Sequence, residues 1–206
     1  MYESIKKIGK IAPKHSKDIA SSRIGIGFEK MDSERIDPSR FYKPLGECGF
    51  KWVRIHSGWN RTEKTKGVYD FKWLDEIVDQ FLANGVTPWL DLLYGNTLYT
   101  HNADNEDAWG FPPVYTEEER AGWRAYISAL VAHFKDRVLY YEIWNEPDGG
   151  QFWKPQPDAT FYGKFASETA QIIQKIHPRP LCLALRWPRA LLREEWLMCV
   201  RLWLQV

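Results

Sequence analysis

Cysteine is scarce in this 206-residue chain, and the three present (Cys48, Cys182 and Cys199) form no CxxC or CxxH pair. An odd count without ligand spacing excludes a disulfide framework and a structural zinc site. An excess of one charge is missing too. The 28 Lys and Arg and 27 Asp and Glu leave a net +1, whereas nucleic-acid binders carry a basic surplus. No run of eighteen apolar residues occurs, so no segment reads as a membrane-spanning helix. The first twenty residues hold five lysines and no apolar stretch of signal-peptide length. Gly25-x-Gly27 lacks the third glycine of a dinucleotide fingerprint and leads into no phosphate-binding helix. The expectation is a cytoplasmic protein without metal, cofactor, membrane or nucleic-acid partner, in which the Asn60-Arg61-Thr62 sequon is a chance match.

Aromatic residues are abundant instead. With 11 Trp, 10 Tyr and 10 Phe they make 15% of the chain, beside an ordinary 44% hydrophobic and 27% charged residues. Flat apolar faces suit stacking on sugar rings, and a large core is the other use for them.

Along the chain, short apolar runs alternate with longer amphipathic ones. Residues 23–28 (RIGIGF), 51–56 (KWVRIH), 86–94 (VTPWLDLLY) and 138–146 (VLYYEIWNE) read as strands. A helix over 38–48 ends near Gly49, a plausible C-cap, and a polar loop covers 57–69. The helix after it places Phe71, Leu74, Ile77, Val78, Phe81 and Leu82 on one face and stops at Asn84-Gly85. A long polar loop runs from Gly95 to about Tyr115. Thr116 with Glu119 forms a capping box for a helix to about Lys135, and a fourth helix covers roughly 159–176.

Repeated βα units imply a parallel sheet. Long loops after strands and tight returns after helices fit a (β/α)8 TIM barrel, with its site at the C-terminal ends of the strands. Strand centres near 26, 54, 90 and 143 give about 39 residues per unit, so eight units need about 310. The expected fold class is therefore α/β, a TIM barrel truncated to about four to five units. It divides into an N-terminal extension (1–22), half a barrel (23–180) and an anomalous tail (181–206). That tail holds eight Leu, four Arg and three Trp but no Gly, Asp, Asn, Ser, Thr or Lys. A reading frame shifted shortly after Pro178 explains this composition, and an apolar helix covering an open sheet edge is the alternative. An open half-barrel edge also predicts self-association.

The segment richest in chemistry is Tyr140-Tyr141-Glu142-Ile143-Trp144-Asn145-Glu146-Pro147, a strand ending in a polar pair that proline stops. Cleaving a glycoside needs one carboxylic acid to protonate the departing oxygen and a second carboxylate across the anomeric carbon. Glu146 suits the first role if partial burial beside aromatic rings keeps it protonated. Asn145 can donate to a sugar 2-hydroxyl. Period-2 spacing puts Glu142, Trp144 and Glu146 on one strand face, with Glu142 a candidate partner for Arg54.

With Lys-Trp-Val-Arg-Ile-His on the second strand and Trp-Asn-Glu-Pro on the fourth, the chain resembles the retaining glycoside hydrolases of clan A. Family 39, the β-xylosidases, α-L-iduronidases and relatives, is the nearest in appearance. The resemblance runs from about Arg23 to Pro178. It implies hydrolysis of a glycoside or oligosaccharide by double displacement without cofactor or metal. Glu146 would be the general acid/base and Asn145 the 2-hydroxyl partner. Arg54 would position the nucleophile, and His56 would hydrogen-bond ring hydroxyls. The clan's nucleophile, a Glu ending strand seven, has no counterpart here. The later carboxylates Asp148, Asp158, Glu168, Glu194 and Glu195 lie too near the acid, on the following helix, or in the tail. A non-catalytic carbohydrate-binding half barrel is the alternative function, and a homodimer closing one barrel is a third.

The individual residues carry competing roles. Arg54 serves either substrate positioning or a structural ion pair, and His56 is read as a substrate contact, with a satisfied core histidine as the other reading. Glu29 binds a hydroxyl or merely begins a loop. Trp59, Tyr94, Asn96 and Trp153 lie just past strand ends and together furnish stacking walls. Trp52, Trp73 and Trp123 read as core. His15, His101, His133 and His177 read as surface residues.

Overall fold

A computed structural model of the chain describes residues 8–100 and 108–184. His101, Glu194, Glu195, Cys199 and the tail from residue 185 lie outside the described residues. Five parallel strands form one sheet in the order β1-β2-β3-β4-β5. They are β1 (Gly25–Phe28), β2 (Trp52–His56), β3 (Thr87–Leu92), β4 (Tyr140–Ile143) and β5 (Leu181–Ala184). The helices are α1 (Tyr42–Glu47), α2 (Trp59–Thr62), α3 (Lys72–Ala83), α4 (Glu117–Phe134) and α5 (Ala159–Ile176). Each strand pairs with its successor, with none of the order reversal of a doubly wound sheet. This is the order of a (β/α)8 barrel, of which the chain forms a five-stranded arc.

The strand residues alternate between two environments. Val53, Ile55, Leu90, Leu92, Tyr141 and Ile143 are fully buried in the core shared with the helices. Trp52, Arg54, Trp89, Asp91, Tyr140 and Glu142 point to the other face, which would line the barrel. Alternate strands meet in layers there: Trp52 of β2 meets Tyr140 of β4 edge to face at 5.0 Å. One layer up, Arg54 of β2 meets Glu142 of β4. Such layering across alternate strands marks a curved barrel wall. Trp52 is accordingly a half-buried lining residue rather than core, while Trp123 is core.

The helices follow their local signals. Leu74, Ile77, Val78 and Phe81 are the buried face of α3, whereas Leu82 falls outside it and is 37% exposed. The capping box of α4 is present in both directions between Thr116 and Glu119. Asp158 caps α5 by accepting from the Phe161 N–H. The helix expected over 38–48 is split into a 3-10 turn at Pro38–Arg40 and α1. The polar loop after β2 contains α2, a single turn that its Asn, Arg and Thr did not announce. His177 is buried, not surface, because it caps α5 and its ring approaches Tyr141.

Gly49 (φ +81°) and Gly85 (φ +76°) follow α1 and α3 in the left-handed conformation that glycine accepts without steric cost. Both also admit the N-terminal segment, since a Cβ would stand 2.7 Å from the Lys14 carbonyl oxygen and 2.8 Å from the Lys17 nitrogen. Buried Ser16 continues this seam, its hydroxyl donating to the Phe50 carbonyl at 2.6 Å with the Gly46 carbonyl 3.1 Å away. At the other end, Leu181–Ala184 pair in register with Tyr140–Ile143. Among the described residues, no helix is long and apolar enough to cross a membrane.

Candidate active site

The site forms where β1 to β4 end, around Arg54. Strand alternation turns Arg54 inward, and its guanidinium reaches four partners: Asp91 and Glu142 on β3 and β4, and Glu29 and Asn145 just past the ends of β1 and β4. Nε donates to Glu142 Oε2 at 2.7 Å and Nη1 to Glu29 Oε1 at 2.7 Å. Nη2 faces Asp91 Oδ2 at 2.5 Å, Glu142 Oε1 at 3.0 Å and Asn145 Oδ1 at 3.0 Å. The Trp89 indole N–H adds a third donor to Glu142, at 3.0 Å. Burial opposes the charge on Arg54, but the hydrogen bonds and charges of Glu142 and Asp91 outweigh it and hold the guanidinium protonated. Burial pushes the Asp91 carboxyl well above the usual carboxylate range, against the pull of Arg54, and neighbouring Glu142 and Glu29 push the same way.

After Ile143 the backbone breaks phase. Trp144 takes φ +66° and Glu146 φ +42°, conformations costing about 1–2 kcal/mol in a non-glycine residue. The break corrects the expectation that Glu142, Trp144 and Glu146 share a face. Trp144 turns into the core against Trp123, Trp153 and Phe165, where its indole donates to the Phe152 carbonyl. Asn145 turns toward Arg54 in its place. A guanidinium cannot accept a hydrogen bond, so the Asn145 amide oxygen faces it and the NH2 is left as a donor toward the cleft.

The cleft has a volume of about 380 Å³ and is lined by Glu29, Lys30, Arg54, His56, Tyr94, Glu142, Asn145, Glu146 and Phe152. Tyr94 stacks on Phe152 (ring centroids 5.9 Å apart) and meets Trp109 edge to face. His56 is buried, meets the Tyr94 ring edge to face, and has its Nδ1 3.5 Å from Asp32 Oδ1. Burial keeps the Tyr94 hydroxyl neutral. Among the described residues no group of three or more metal-ligating side chains is placed to hold a metal ion, and Arg54 fills the centre of the one dense carboxylate cluster.

Six of the eight residues read from the sequence thus converge: Glu29, Arg54, His56, Tyr94, Asn145 and Glu146. Trp59 and Asn96 do not. Trp59 is fully buried between the rings of Tyr99 and Tyr126 and donates to Glu63 Oε2. Asn96 is spent on loop architecture, donating to the carbonyls of Trp59 and Glu63 and accepting from Leu98. Trp153 is also core. Glu146 is exposed at the cleft rim rather than partly buried, since the turn that begins with it faces outward and no described side chain covers it. Sequence reasoning missed Asp91 and Trp89; the signal was a lone acid inside an apolar strand run.

The model of glycosyl hydrolases family 39 matches residues 7–183. The chain belongs to that family. Among the relatives it resembles, a β-xylosidase of Geobacillus stearothermophilus is 24% identical over 177 residues, covering 78% of this chain and 34% of that one. The structure of a family 39 β-xylosidase from Caulobacter crescentus matches 77% of this chain and 39% of its own, at 24% identity and a TM-score of 0.58. Xylanase 10B from Thermotoga petrophila matches 96% of this chain and 59% of its own, at 14% identity and a TM-score of 0.58, a likeness of fold. The chain spans about a third of the length of the first two relatives. Its arc of strands is the N-terminal part of a TIM barrel.

Proposed function

We propose that this chain carries the acid/base half of a glycosidase site that hydrolyses O-glycosidic bonds of a glycoside or oligosaccharide with retention of configuration. Family membership supports the reaction class, and the β-xylosidase relatives favour a xylose-type sugar. The observation that carries the reading is the end of β4. Asn145 is locked by Arg54 with its NH2 turned to the cleft, and Glu146 stands next to it at the rim. In this reading Glu146 protonates the departing oxygen and then takes a proton from the incoming water. Asn145 donates to the 2-hydroxyl, a bond that strengthens as positive charge builds on the ring. Arg54 and Glu142 hold that amide rigid, while Tyr94 and Phe152 supply apolar walls.

Double displacement needs a second carboxylate about 5–5.5 Å from the first. Among the described carboxylates after Glu146, Asp148 is exposed two residues on, Asp158 caps α5 and Glu168 pairs with Arg124. In this reading the nucleophile is supplied by the opposite barrel wall. A barrel completed with strands six to eight of a family 39 relative tests the assignment. Glu146→Gln is expected to slow hydrolysis of substrates with poor leaving groups by about 10²–10⁴-fold. It largely spares the first step with activated aryl glycosides, and equal loss on both removes Glu146 from the acid role. The shortage of a facing carboxylate favours a second reading, a carbohydrate-binding half barrel. Sugar binding that persists without turnover in the completed barrel would establish it.

A further inference from the structure

Arg54 Nη2 carries two hydrogens, yet three acceptors stand within reach of it: Asp91 Oδ2, Glu142 Oε1 and Asn145 Oδ1. They cannot all hold a full hydrogen bond at once. Glu142 is secured by the parallel bond from Nε and by the Trp89 indole, so its claim does not depend on Nη2 alone. The contest lies between Asp91 and Asn145.

Asp91 is unlike its neighbours. Its side chain has no solvent exposure, and its second oxygen, Oδ1, has no hydrogen-bond partner among the described residues. Glu142 is 8% and Glu29 43% exposed, and each is bonded to Arg54. An ionised carboxylate with one bare oxygen in a dry site is expensive, and the charge of Arg54 is already matched by Glu142 through two contacts. A neutral acid at this position is a weaker acceptor than a carboxylate.

We infer that Asp91 is a positioning residue that acts through Arg54 on Asn145. As a neutral acid it leaves an Nη2 hydrogen to the Asn145 oxygen, which keeps the amide NH2 turned into the cleft. Ionised, it draws that hydrogen to itself and releases the amide. Burial raises its protonation range well above the usual carboxylate one, in the direction of the neutral form. This inference deepens the glycosidase reading, since Asn145 is there the 2-hydroxyl donor, but its test needs no sugar and no turnover.

The groups facing Asp91 are Arg54 and His56 on β2, Glu142 on β4, Glu29 and Asp32 after β1, and Tyr94 beyond its own strand. Any of them can move a signal with pH, so the test must isolate Asp91. The full chain labelled with 15N and 13C is titrated from pH 4 to pH 9. The Asn145 side-chain amide pair and the Asp91 carboxyl carbon are followed by NMR. The expected result is that both move together, with one midpoint above the usual carboxylate range. In Asp91→Asn, a permanently neutral acceptor of the same shape, the Asn145 pair is expected to stay at its wild-type low-pH position throughout. Asn145 signals that do not move in the wild type, or that move equally in Asp91→Asn, overturn the inference. If Asp91→Asn fails to fold, the wild-type titration alone decides, because separate midpoints for Asp91 and Asn145 also overturn it. Failure of glycoside turnover in the completed barrel would leave this linkage intact, so the two readings fall separately.

Discussion

Removing Arg54 is the sharpest test of the network. The guanidinium side chain is 13% exposed, and its two buried carboxylate partners, Asp91 and Glu142, are 0% and 8% exposed. Taking away the cation strands acids that cannot turn to water, a loss of about 3–5 kcal/mol for a broken buried pair. The Glu29 contact, 43% exposed at its carboxylate, adds only about 0.2–1 kcal/mol. The deficit depends on pH with a definite sign. Burial holds Asp91 above its unfolded value, so the native state keeps a proton that the unfolded chain releases. Such a group costs stability as pH rises from the unfolded pKa, about 3.9, toward the folded one. Without Arg54 the pull that lowers the Asp91 range is gone, and the Glu142 carboxylate loses its paired cation. Arg54→Ala should therefore be least destabilised near pH 4, with the gap to the wild type widening toward pH 7. Urea unfolding followed by tryptophan fluorescence at pH 4.5 and 7.5 measures it. A cost below about 1 kcal/mol at both values, or one independent of pH, refutes a coupled buried network.

Two further substitutions probe the frame around the site. Trp59→Phe keeps a ring between Tyr99 and Tyr126 but leaves a buried Glu63 oxygen without its indole donor. It should cost about 1–3 kcal/mol in unfolding experiments, and under the proposed function it should leave any xylo-oligosaccharide affinity read by calorimetry unchanged; weakened affinity at unchanged stability would return Trp59 to the cleft. Gly85→Ala and Gly67→Ala form a pair, since both glycines have positive φ but only Gly85 has the Lys17 backbone against it. Both should lose about 1–2 kcal/mol from the left-handed conformation, and Gly85→Ala should lose clearly more. Equal losses would mean that the seam with the N-terminal segment is soft.

What could be read without coordinates were features whose causes lie within a few residues. The capping box joins Thr116 to Glu119, and the buried face of α3 repeats at helical spacing. The strand order follows from short returns after helices and long loops after strands, and Asn145-Glu146 was marked by an apolar run stopped at Pro147, although the strand itself ends at Ile143. Leu181–Ala184 is a harder case. Its composition resembled the rest of the tail, and only pairing with β4 shows these four residues to be a strand.

The tertiary structure alone decided which way loop residues face. Trp59 and Asn96 lie just past strand ends, as Tyr94 does, yet Asn96 is drawn inward by carbonyls more than thirty positions away. The exchange of Trp144 for Asn145 beside Arg54 depends on a left-handed residue in a strand-like run, which no pattern of period two contains. Asp91 gained its significance from Arg54, 37 positions earlier, and Arg54 its rigidity from Glu142, 88 positions later. Propensity and periodicity act over a turn or two of chain, so the sequence by itself determined the elements and their order. Burial, charge pairing and the competition for a single guanidinium nitrogen arise only when distant strands are brought side by side.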